Sequence, residues 1–177
     1  MKFMTATECR EWLISQGVSV GAEGMPERYP PLKPVLRFEL PTAPHQLAWL
    51  CRFITDSLMD RREGLLWIKE FGTFPSTENL HLYYRVRQSY ADLRLLREAP
   101  GHLFLAHEAV DVQTFLLMGI VNGWEMHLFP GESETSRAIF AHDNEWIALY
   151  HPDASTVAQW QIQIEKAEYT ILIDRAT

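Results

Sequence analysis

The sequence predicts an α/β fold: a mixed, largely parallel sheet built from successive βαβ units, with helices on both faces and an antiparallel hairpin at one edge. Three observations predict it. Strand-like apolar runs alternate with helical segments from Val35 to Phe129, the pattern of parallel crossover units. Leu65-Leu66-Trp67-Ile68 is nearly continuous, as in a strand covered on both faces. Ala138 to Ala141 and Trp146 to Tyr150 flank the polar run His142-Asp143-Asn144-Glu145, as in a hairpin. The alternative is α+β, with helices on one face of a mostly antiparallel sheet.

The 177 residues, 47% hydrophobic and 22% charged, make one globular domain over 1–177 with a full core. Thr5 and Glu8 form a capping box, with Met4 and Cys9 placed as its hydrophobic staple. The helix they open buries Trp12 and Leu13 and stops at Gly17. Residues 18–34 carry Gly21, Gly24, Pro26, Pro30, Pro31 and Pro34 and form an irregular loop.

Val35 to Leu40 is a strand. A helix follows with Thr42 as cap and Pro44 in its first turn. Its face carries Leu47, Leu50, Ile54 and Leu58, with Trp49 and Phe53 beside them. Leu65 to Phe71 is the next strand. Ser76 caps a helix running to about Leu96, whose buried stripe is Leu82, Tyr83, Val86, Tyr90 and Leu93. Arg87 and Arg94 sit at the edge of that stripe.

After Pro100-Gly101, Leu103 to Ala106 is a short strand. The helix from Ala109 to Asn122 is apolar on nearly every side, with Asp111 in its first turn. Gly123 ends it, and Trp124 to Phe129 is a strand. Residues 155–173 read as strand or helix. Their Gln, Glu, Lys and Ala content favours helix.

Gly24-Met25-Pro26-Glu27-Arg28-Tyr29 resembles the opening motif of the SUKH immunity-protein superfamily, and Phe140 to Tyr150 is similar to its later hairpin. That family has a helix after the motif, where this chain has Pro30-Pro31, and no family is assigned.

Charge is uneven. Residues 1–97 hold 13 Lys and Arg against 11 Asp and Glu, whereas residues 98–177 hold 3 against 12. An acidic half repels a phosphate backbone, which argues against general nucleic-acid binding and suits a basic protein partner. No apolar run is long enough to span a bilayer, so no membrane partner is expected. Cys9 and Cys51 have no metal-type or disulfide pattern, and the expected compartment is the cytoplasm.

If the strands are parallel, ligands sit beyond their carboxyl ends. Four loops are then in question: Pro41 to His45, Gly72 to Asn79, His107 to Asp111 and Pro130 to Glu134. In the second of these, Thr73, Ser76 and Thr77 offer hydroxyls at a helix start, with Arg87 and Arg94 as added charge for a ligand. His107 with Glu108 or Asp111 is the best acid–base pair, and Ser76, Thr73 or Ser133 the nucleophile it would need. Neighbouring parallel strands would bring His107 and His127 together as metal ligands. No P-loop, GxSxG or HExxH motif supports any of these.

The residue types lean away from an enzyme. They point to a small binding protein that uses its acidic half, such as an inhibitor or immunity-type partner of a basic protein. A hydrolase or metal-binding protein around His107, Glu108 and the Gly72 to Asn79 loop is the alternative. No cofactor is predicted, and a divalent metal is left open.

Overall fold

The computed structural model describes residues 1–21, 35–59, 62–70, 77–131, 136–140 and 145–172, with the backbone alone for 77–80. Among them are seven strands and five helices: β1 (Lys2–Met4), α1 (Ala6–Ser15), β2 (Val35–Glu39), α2 (Pro44–Leu58), β3 (Gly64–Glu70), α3 (Thr77–Ser89), β4 (Gly101–Phe104), α4 (Ala109–Val121), β5 (Glu125–Pro130), β6 (Arg137–Phe140), β7 (Trp146–Tyr150) and α5 (Ala154–Lys166).

The strands form one sheet in the order β1-β4-β3-β5-β6-β7-β2. Every pairing in it is antiparallel. The largely parallel sheet of βαβ units is therefore wrong, and the mixed α+β architecture is the correct one. The reason is that a helix between two strands does not say which strand the second will join. After α3, β4 returns beside β3 in the opposite direction. After α4, β5 runs in the direction of β4, but β3 lies between them. That arrangement is a split βαβ unit, and no two hydrogen-bonded strands are parallel.

This correction moves the expected ligand loops. β2 and β3 end at one edge of the sheet, whereas β4 and β5 end at the opposite one. The described parts of those loops divide between the two ends of the sheet: His45 lies at one, and His107 and Gly131 meet at the other.

The two faces are covered differently. On one face, α2, α3, α4 and α5 bury a core that includes Phe38, Leu66, Phe104, Met126, Leu128 and Leu149. On the other, α1 packs Cys9 and Leu13 over Met4, Leu65, Trp67 and Phe129. β3 is thus buried on both faces although its neighbours are antiparallel. The continuous apolar run was read correctly as two-sided burial, but two-sided burial does not require parallel strands.

Local signals were mostly legible. The Thr5–Glu8 capping box is present, and α5 is a helix over Ala154–Lys166. The cap of α2 is Ala43, with no side-chain hydrogen bond, and not Thr42. α3 ends at Ser89, well short of Leu96. Its stripe differs too. Tyr83 and Arg87 are buried, whereas Leu82, Tyr90 and Leu93 are exposed. Beyond β2, residues 170–172 continue the sheet: Glu39 donates to the Thr170 carbonyl at 2.9 Å and Leu172 donates to that of Arg37 at 2.9 Å. This covers the open edge of β2. Among the described residues, no helix is long and apolar enough to cross a membrane.

Candidate functional site

The expected site residues fall into four separate places. Thr73, Ser76 and Ser133 lie outside the described residues, and Thr77 is described only as the first residue of α3.

Arg87 is fully buried. Its guanidinium donates to Tyr83 Oη at 2.7 Å, to the Ala99 carbonyl at 3.0 Å and to Asp92 Oδ1 at 3.1 Å. It also stands 4.3 Å from the centre of the Phe3 ring. Tyr83 Oη, already accepting from Arg87, is hydrogen-bonded to His102 Nε2 at 2.7 Å. Burial, reinforced by Arg87, pushes the His102 imidazole down to about 3, so it is neutral. Arg94 donates to Asp92 and to the Phe3 carbonyl. Burial alone would raise the Asp92 carboxyl, but hydrogen bonds from Arg94 and Arg87 outweigh it and hold the group below its ordinary value. This network ties α3, β4, β1 and the 90–99 turn together. Arg87 makes these bonds while fully buried in the core, so it offers no charge to a ligand.

Glu108 is also engaged. Its Oε2 accepts from the Leu105 amide at 2.8 Å, and Oε1 pairs with the Met1 amino group. Burial opposes ionisation, but these partners keep the carboxyl below its usual range. Asp111 is half-buried in the first turn of α4. His107 is exposed on a cavity of about 600 Å³ shared with Gln16, Arg62, Glu63 and Gly131. Glu63 is the acid that lines that cavity with His107, and its carboxylate accepts from Trp12 Nε1 at 3.4 Å.

His127 lies in β5 on the α1 face of the sheet and is fully buried. Its Nε2 is 3.6 Å from Glu125, which pairs with Lys69 at 3.1 Å. Burial first, then Lys69 and Arg137, push the imidazole down to about 4 against the pull of Glu125. β3 separates the strands of His107 and His127. Among the described residues, no group of three or more His, Cys, Asp or Glu is placed to hold a metal ion. Burial pushes the thiols of Cys9 and Cys51 up to about 12, which leaves them protonated and inert.

The feature the sequence reading missed is a cleft between α2 and α5. It has a volume of about 610 Å³, in the range of small-molecule sites. A smaller hollow of about 280 Å³ shares Trp49 and Gln163 with it along the same two helices. Trp49 is 36% exposed. Phe53, one helical turn on, stacks against it at 5.0 Å and 4°. Tyr169 tilts against it at 5.4 Å and anchors to the α2 backbone by donating to the Gln46 carbonyl at 2.7 Å. His45, Gln163, Lys166 and Glu168 complete the rim.

The acidic half is less available than its count suggested. Glu108 and Glu125 are buried against Met1 and Lys69, and Asp153 caps α5 through Ser155 and Thr156. No family model matches the chain, and no curated protein or solved structure is significantly similar to it.

Proposed function

We propose that this chain is a binding protein and that its site is the cleft between α2 and α5. One observation carries the reading. Trp49 keeps over a third of its surface in solvent while Phe53 and Tyr169 hold it in place on the wall of this cleft. A rigid aromatic beside convergent polar groups supplies contact area at little cost in conformational entropy. Catalysis is the weaker reading because His102 and His127 are buried and neutral and Glu108 is committed to Met1.

A second reading is favoured by one observation, the placement of His107 and Glu63 on a common cavity. It keeps an acid–base site at the strand ends. A positively charged protein partner remains part of the first reading, with Glu165 and Glu168 on the α5 side as its ground, and such a complex would loosen with salt.

A thermal-shift screen of small molecules and peptides separates the two sites. Compounds that stabilise the wild type should lose their effect in Trp49→Ala and keep it in His107→Ala. The reverse pattern would replace the cleft by the His107 corner.

A further inference from the structure

The rim of the α2–α5 cleft combines groups of both signs, and that combination restricts what fits. Lys166 donates only, Glu168 accepts only, and Gln46, Gln163 and His45 do both. An anion would meet Lys166 favourably and Glu168 unfavourably, and a cation the converse. A neutral molecule carrying several hydroxyl groups meets both ends with hydrogen bonds and suffers from neither.

The wall points the same way. Phe53 stacks on the Trp49 indole and Tyr169 tilts against it, and what stays exposed borders the cleft and the smaller hollow beside it. An aromatic face carries negative partial charge and suits the outward C–H groups of a saturated ring. Glu168 adds a backbone observation. It follows the Ala167 cap of α5 with φ 64°, the left-handed conformation usual for glycine. A glycine there would relieve the strain but remove the carboxylate from the rim. The turn closes with the Tyr169 amide donating to the Ile164 carbonyl at 3.2 Å, the usual end of a helix, and it leaves Glu168 on the rim.

We propose that the cleft takes a neutral, polyhydroxylated ring of the saccharide class, stacked on Trp49 and hydrogen-bonded by Lys166, Glu168 and Gln163. This rests on the cleft being the binding site. The test is calorimetric titration of the full chain with maltose, cellobiose and N-acetylglucosamine, beside glucuronate, glucosamine and adenosine. Amide and indole N–H shifts are recorded in parallel by NMR.

At least one neutral sugar should bind and move the Trp49 indole and Gln163 side-chain signals. Glu168→Gln should weaken it about three- to tenfold, as expected when a charged acceptor is replaced by a neutral one that keeps its hydrogen bond. Trp49→Ala should abolish it. Gln163→Ala, on the exposed face of α5, serves as the variant least expected to disturb folding and should also weaken it. Neutral sugars that leave the cleft signals unmoved would overturn the proposal. If glucuronate, glucosamine or adenosine alone moves them, the saccharide assignment fails and the cleft reading stands. If sugars bind but only signals outside the cleft move, both fail.

Discussion

Arg87 is a full positive charge inside the core, paired with Asp92 and hydrogen-bonded to Tyr83 and the Ala99 carbonyl. Removing one partner of a buried ion pair leaves the other uncompensated, which costs about 3–5 kcal/mol. Asp92→Ala, which strands the buried Arg87 charge, should therefore lower stability by roughly that amount in urea denaturation. Tyr83→Phe leaves His102 and Arg87 one hydrogen bond short and should cost about 1–3 kcal/mol. The two buried histidines give a pH signature. Their folded values, about 3 for His102 and about 4 for His127, lie below the ordinary 6.5. Unfolding therefore takes up protons wherever the pH is below about 6.5. Stability should be flat above that point and fall as pH drops toward 4. Between pH 6.5 and 4.5 the slope should correspond to uptake of up to two protons from these groups. Glu8, held at about 2 first by the Thr5 amide and then by Lys2, adds its own loss only below about 4.5. Denaturation curves from pH 8 to 5 check this. Stability that rises on acidification through that window would contradict the neutral, buried assignment.

The elements pack closely enough at two glycines for one methyl group to matter. A Cβ at Gly101 would lie 2.1 Å from Cys9 Sγ and 3.2 Å from Met4 Cβ, between β4 and α1. Gly101→Ala should destabilise the protein by about 1–3 kcal/mol, as overpacking does. Adding Cys9→Ala should recover part of that loss, measurable as a coupling in a double-mutant cycle. At Gly119 a Cβ would lie 2.0 Å from Met126 Sδ, so α4 rests against β5. Such contacts join residues distant in sequence. This is where legibility ended. Thr5 with Glu8, Pro44, and the turn at Gly123 were readable because each depends on neighbours within a few residues. Arg87 is not legible as a core residue because its partner Asp92 belongs to the turn after α3, whereas a helix carried on to Leu96 would set the two about 140° apart around its axis. The α2–α5 cleft was invisible because its walls lie more than 100 residues apart in the chain.

Across the whole molecule, the antiparallel sheet determines which loops meet and which do not. The expected convergence at strand ends depended on parallel neighbours. With β3 inserted between β4 and β5, His107 lies at one end of the sheet and the start of α2 at the other. The helical face then becomes the natural place for a site, since α2 and α5 both line the cleft there. The chain has six tryptophans. Of these, Trp67 and Trp124 are almost wholly buried, whereas Trp49 is open to solvent. Labelling with 5-fluorotryptophan resolves them as separate fluorine signals, with Trp49 identified by its loss in Trp49→Phe. On titration with compounds that stabilise the protein, the Trp49 signal should shift while those of Trp67 and Trp124 stay in place. Stabilisation that leaves the Trp49 signal unmoved would contradict the assignment of the cleft as the binding site.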